Sequence, residues 1–218
     1  MFMIVSLVSQ DSWAQSTYLE EVSGKPIRVG QYVDMEGSPY LQDNWAKGEV
    51  KMANGDVFTD VDLKYDLVGD ILLFKNKKEE PLEFVQPVKE FSIIYSNKGE
   101  VENITYRNGY PAHEGLSEQN FYKVIADGKT SLLKKETKVV RNETSYNSAT
   151  ITKKLFSNEV YYIYKDGKFT RVKKDQKSLL VALKGQEGKL KEFIKSNKLS
   201  LKEDKDLAKL ISYYNSLS

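Results

Sequence analysis

The chain contains no cysteine and a single histidine, His113. Without thiols there is no disulfide framework, no thiolate metal site, no cysteine nucleophile and no cysteine-linked lipid anchor, and one imidazole cannot supply a multi-histidine metal centre. A Ser-His-Asp triad would need His113 as its base, but no Gly-x-Ser-x-Gly elbow accompanies it, and Ser117 and Glu114 are near it only in sequence. His113 therefore reads as an exposed loop residue. The glycines occur singly at turns, so the usual nucleotide-binding signatures are missing as well. No catalytic residue, metal or cofactor is expected. Long apolar runs are also absent: nothing after Gln15 approaches the roughly 20 apolar residues of a membrane helix, and no transmembrane segment is expected there. The net charge of +2 gives no electrostatic reason to expect nucleic acid.

What remains is the composition of a folded globular chain, 40% hydrophobic and 29% charged. Its start, Phe2-Met3-Ile4-Val5-Ser6-Leu7-Val8 followed by Ser12-Trp13-Ala14-Gln15, has the form of the hydrophobic end of a secretory signal peptide with a small-x-small cleavage site, without the basic n-region. Cleavage after Ala14 is expected. The organisation that follows is a signal-peptide remnant at 1–14, a β-rich domain at 15–174 and a small helical region at 175–218 packed on it. A periplasmic or secreted location is the corresponding expectation.

Strand signals fill the β-rich part. In 57–65, Val57, Thr59, Val61, Leu63 and Tyr65 alternate with Phe58, Asp60, Asp62 and Lys64, which predicts one core face and one polar face. Asn54-Gly55 precedes this strand with the chemistry of a two-residue hairpin turn. Further strands are predicted at 71–75, 82–85 (between Pro81 and Pro87, hence at an edge or a strand start), 91–95, 101–106, 121–125, 132–140, 161–164 and 169–172, with polar or punctuated loops at 107–115 and 142–148. After Lys174 the period changes. Leu179, Leu180 and Leu183, then Leu190, Phe193 and Ile194, then Leu207, Leu210, Ile211 and Tyr214 form three short helical stripes, and Ser200 with Glu203 reads as a capping box for the last. The predicted class is α+β: an antiparallel β meander forming a roll or partial barrel, followed by three short C-terminal helices. The segment 176–218 holds nine lysines against five acids, a net of +4, which suits a solvated face and admits peripheral contact with an anionic membrane.

Candidate site residues come from two patterns. Asp60 and Asp62 lie two apart in a strand, about 7 Å from each other, the arrangement in which paired carboxylates divide acid and base roles on a sugar, although a wet strand face needs polar residues anyway. Aromatics supply the other: Tyr162 and Tyr164 share a strand face and offer a stacking platform, and Tyr40 with Trp45 either line a pocket or plug one end of the rolled sheet.

Five groups of residues also carry a resemblance. Gly37-Ser38-Pro39-Tyr40-Leu41, Trp45-Ala46-Lys47-Gly48-Glu49-Val50 and Val61-Asp62-Leu63-Lys64-Tyr65 at one end, and 193–199 with Tyr213-Tyr214-Asn215-Ser216-Leu217 at the other, resemble uncharacterised exported proteins of Bacteroidota. The resemblance implies an envelope or secreted location and no activity. The functional expectation is a non-catalytic exported envelope protein, an interaction or binding module for an envelope or surface partner. The alternatives are a carboxylate-based hydrolase or carbohydrate-active enzyme, and a carrier of a small apolar ligand inside the sheet.

Overall fold

The computed structural model describes residues 24–27, 32–97, 99–144 and 151–217. The leader-like residues 1–14, and with them the expected cleavage after Ala14, lie outside the described residues. Twelve strands are formed among the described residues: β1 Gly24–Pro26, β2 Met35–Glu36, β3 Ala46–Met52, β4 Val57–Asp66, β5 Ile71–Lys75, β6 Pro81–Phe84, β7 Val88–Asn97, β8 Glu100–Arg107, β9 Tyr122–Ala126, β10 Thr130–Thr144, β11 Ile151–Lys165 and β12 Lys168–Val172. Three helices follow, α1 Gln176–Ala182, α2 Glu187–Ser196 and α3 Asp204–Ser216. The strands join one sheet in the order β1-β6-β5-β4-β3-β7-β8-β9-β10-β11-β12, with β2 attached parallel to β11 and the other pairings antiparallel. This is the α+β meander with three C-terminal helices. The sheet is open: β1 and β12 are its two ends and do not pair with each other.

Although open, the sheet curls until the β4–β5 turn reaches β10. The Lys138 N–H donates to the Leu67 carbonyl at 3.0 Å, and the Lys135 ammonium donates to Asp70 at 2.6 Å and to the Phe121 carbonyl at 2.9 Å. Asp70 also accepts from the Tyr65 hydroxyl and from Asn120 Nδ2 at 2.6 Å. Inside the curl lies an apolar core of Val50, Met52, Leu63, Phe74, Phe91 and Ile93 with their neighbours, where Phe91 stacks on Tyr106 at 5.0 Å and Tyr65 meets both rings. Gly48 makes the central strand crossing fit. A Cβ there would stand 2.2 Å from the Ser92 carbonyl oxygen and 2.6 Å from Leu63, so any side chain would push β3 away from β7.

The alternation read across 57–65 breaks at its middle. The β3–β4 register shifts between Gly48 and Val50, and Asp60 takes φ +58°, a bulge that inserts one residue and reverses the phase of what precedes it. Phe58 is therefore buried at 4% exposure while Val57 is 38% exposed, and the core face is Phe58, Val61, Leu63 and Tyr65. Hydrophobic burial selects the bulge, because a bulge-free strand would leave the Phe58 ring in water.

The other half of the sheet is covered on both sides. On one side Leu132, Tyr161, Ile163 and Val172 pack against Leu179, Leu190, Leu207, Leu210 and Ile211 of the helices. Asn215 ties the end of α3 to β10 by a two-way hydrogen bond with the backbone of Thr130, at 3.0 and 2.8 Å. On the opposite side Tyr110, Tyr122, Leu133 and Tyr162 form a smaller cluster under the 108–121 loop. Asp175 caps α1 by accepting from the Ser178 N–H at 2.8 Å. The expected Ser200–Glu203 box does not form: α3 begins at Asp204, Glu203 makes no side-chain cap, and Asp206 instead accepts from the Ser200 N–H at 2.8 Å. That bond satisfies the loop before the helix, which moves the start of α3 inward. Neither end of the long β10–β11 hairpin follows the predicted loop boundary, since β10 runs to Thr144 and β11 starts at Ile151.

Candidate functional site

Cross-strand register lays a row of polar residues across the sheet. Tyr106 of β8 faces Lys123 of β9, Lys123 faces Lys134 of β10, and Lys134 faces Tyr161 of β11. One step further along the same hairpin face, Glu136 stands opposite Glu159. Two lysines directly opposite each other repel, and the carboxylates gathered beside them relieve that repulsion. Because Leu132, Lys134 and Glu136 alternate along β10, this face passes from under the helices into a cleft of about 560 Å³ between the sheet and the start of α3.

Lys134 is the centre of the cleft floor. Its side chain is 8% exposed and its ammonium lies 2.9 Å from Glu159, 3.1 Å from Glu136 and 3.5 Å from Asp204. Burial alone would lower its pKa, but Glu136, Glu159 and Asp204 outweigh that and hold it well above the ordinary lysine range. The hydroxyls of Tyr106 and Tyr161 donate to Glu136 and Asp204 at 2.5 and 2.7 Å, and Lys123 lies 4.0 Å from Asp204. Lys174 leans over the Tyr161 ring at 5.0 Å and donates to the Lys202 carbonyl at 2.8 Å.

At the rim the charges divide into paired and unpaired. Lys205 bridges Glu100 and Glu102 at 2.8 and 3.0 Å, and Lys209 pairs with Asp206 at 2.7 Å. The adjacent Lys202 and Glu203 line the cleft, are exposed and have no ion-pair partner among the described residues. The cleft thus presents Lys202 and Glu203, neither ion-paired among the described residues, above a floor in which Lys134 is shared by three carboxylates. A lysine held in its ammonium form is neither a nucleophile nor a base, so Lys134 orders the site by charge. No group of three or more His, Cys, Asp or Glu among the described residues is arranged to hold a metal ion.

Burial also acts on the tyrosines. It pushes the Tyr65 and Tyr106 hydroxyls far above the ordinary tyrosine value of 10.0, reinforced by Asp70 and Glu136 respectively, and raises Tyr161 in the same direction with help from Asp204. A raised folded-state value favours the neutral phenol, so this stabilisation is fully present below the unfolded value near 10 and is lost as pH climbs through the folded values. A titration followed by phenolate absorbance will show two stages: the less buried tyrosines ionise first, and the buried group ionises cooperatively with the loss of circular dichroism. Reversible ionisation of every tyrosine in the folded chain would contradict these environments.

The residues singled out from sequence fall in four places. Asp60 and Asp62 stand on the outer face of β4, where Lys47 bridges them at 3.6 and 3.2 Å. Tyr162 is only 3% exposed. With Tyr164 it faces an aromatic cluster rather than solvent: His113 lies edge-on to Tyr162 and stacks on Phe169 at 3.6 Å, and Tyr164 meets Tyr110 at 5.0 Å. The Tyr162 hydroxyl donates to Glu114 at 2.9 Å, and burial followed by that bond raises its pKa to about 12. His113, read as exposed, is half-buried in this cluster and fastens the 108–121 loop to the sheet. Tyr40 makes a bridge with Asp66, and its carbonyl accepts from Lys138 at 2.6 Å, which places it between the end of β4 and β10. Trp45 is half-buried and separated from Tyr40 by Lys64, whose ammonium lies 4.4 Å from the Tyr40 ring centre and 5.6 Å from that of Trp45.

The floor residues Lys134, Glu136, Glu159 and Asp204 were not singled out from sequence. Their one local signal is the charged Lys134-Lys135-Glu136 run inside an otherwise apolar strand start. No helix among the described residues is long and apolar enough to cross a membrane. No family model matches the chain, and no curated protein or solved structure matches it either.

Proposed function

We propose that the chain is a non-catalytic exported binding module, and that the cleft between the sheet and α3 receives a segment of an envelope partner bearing closely spaced basic and acidic side chains. The observation that carries this reading is the unpaired Lys202–Glu203 couple at the rim of a cleft whose floor is ordered around Lys134 by Glu136, Glu159 and Asp204. The rim offers one charge of each sign to a complementary segment. The apolar run at 2–8 with Ala14 supports export. Contacts at an exposed rim are screened beyond about 8–10 Å at physiological salt, so they favour orientation and encounter rate over raw affinity.

The test is capture of envelope-extract proteins on the immobilised chain, alongside a charge-swapped rim, Lys202→Glu with Glu203→Lys. The swap keeps net charge and composition. Retention by the unaltered chain that declines as ionic strength rises, and falls at least about tenfold with the swap, supports the proposal; equal retention on both overturns it.

A further inference from the structure

Away from the cleft, on the outer face of the sheet, Trp45 forms one wall of a groove of about 550 Å³ with Asp43, Asn44, Lys47, Ile94 and Ser96. The sheet order explains how the ring is held. Trp45 enters β3, which lies between β4 and β7. From the β4–β5 side Lys64 and Lys75 approach the ring at 5.6 and 5.5 Å, and neither lysine lines the groove. The side of Trp45 turned to β7 therefore borders the groove, opposite Ile94, which is 45% exposed. Gln42 closes the end of this space by donating to the Ile94 carbonyl at 3.1 Å and accepting from the Ser96 N–H at 3.4 Å. Asp43 and Asn44 are exposed at its rim and make no hydrogen bond among the described residues. Lys47 completes the rim, fixed by Asp60 and Asp62.

We propose that this groove binds one pyranose ring of a neutral glycan. A pyranose has an apolar C–H face and an equatorial rim of hydroxyls. An indole backed by two cations presents a rigid apolar wall to the former, and a carboxylate, an amide and an ammonium at one edge offer acceptors and donors to the latter. Lys47 is held by Asp60 and Asp62, and Asp43 adds an acceptor carboxylate at the rim, so the groove disfavours an anion and suits a polyhydroxyl ligand that donates to carboxylates. The paired aspartates act here by positioning Lys47. The site is separate from the α3 cleft and stands or falls independently of it.

The experiment titrates the full chain carrying Trp13→Phe, so that Trp45 is the only indole, with cellobiose, maltose, lactose and N,N′-diacetylchitobiose, reading tryptophan fluorescence. At least one sugar is expected to give a saturable change with a dissociation constant of about 1 mM, weakened about tenfold or more by Asn44→Ala or Asp43→Ala. Binding read by calorimetry will be lost in Trp45→Ala and retained within a few-fold in Trp45→Phe, while the Lys202/Glu203 swap leaves it unchanged. Should Trp45→Ala fail to fold by circular dichroism, the exposed Asn44→Ala and Asp43→Ala variants carry the test. No saturable response from any of the four sugars at roughly tenfold above 1 mM overturns the proposal, as does a response that ignores the Trp45, Asn44 and Asp43 changes or vanishes with the rim swap.

Discussion

Replacing Asp70 by Asn is expected to lower the stability of the chain by about 3–5 kcal/mol, because it leaves the Lys135 ammonium buried without its counter-charge. The Lys135 side chain is 4% exposed, and Asp70 is the one carboxylate within ion-pair distance of it among the described residues. Burial already lowers the Lys135 pKa, and the Asp70 charge is what opposes that shift. Asn is the informative substitution because Asp70 has φ +58°, a conformation Asn tolerates, so the turn is kept while the charge and one acceptor oxygen are removed. At roughly 2–4 °C per kcal/mol for a chain of this size, the melting temperature will fall by about 6–20 °C. Adding Lys135→Met should restore most of the loss, since a buried pair replaced on both sides is near neutral. If the double variant is less stable than Asp70→Asn alone, the ion pair is not what holds the β4–β5 turn to β10.

Truncating Leu210 to Ala is expected to cost about 2–5 kcal/mol and to do so in a single unfolding transition. Leu210 is fully buried and belongs to the same apolar cluster as Leu132, Tyr161 and Val172 of the sheet. The three short helices are each too brief to persist alone, so their stability is packing energy borrowed from β9–β12. Loss of helical signal must therefore coincide with loss of tertiary signal in urea. Two separated transitions, with the sheet outlasting the helices, would show that the helical region folds as an independent unit.

Local chemistry made much of this architecture readable. Asp166-Gly167 makes the two-residue β11–β12 turn with positive φ at both residues, whereas Asn54-Gly55, expected to do the same, lies in a four-residue connection at 53–56 with positive φ at Gly55 alone; all three leucine-rich stripes became helices. The Asp60 bulge was not readable, because the alternation of 57–65 predicts a regular strand with Val57 on the core face, and only the burial of Phe58 against distant strands reverses that phase. The ends of β10 and β11 were lost for the opposite reason: 141–144 and 152–154 are polar, and cross-strand pairing with the Lys154–Glu143 and Lys154–Glu36 contacts extends the strands there. Site residues divide likewise. Trp45 stood out by its rarity, whereas the cleft draws on β8, β9, β10, β11 and α3 and exists only once register has placed Lys123, Lys134 and Tyr161 in one row. His113 was misread because a punctuated loop suggests solvent, while Phe169 and Tyr162 supply it with a stacking surface from distant strands.

The most direct measurement is chemical-shift mapping of the isotope-labelled chain during titration with the partner recovered from the envelope extract. Shifts concentrated at Lys123, Lys134, Tyr161, Lys202 and Glu203, and abolished by exchanging the Lys202 and Glu203 charges, are the predicted result. Shifts confined to other surfaces, with the α3 cleft unmoved at saturation, would contradict the assignment of that cleft as the binding site.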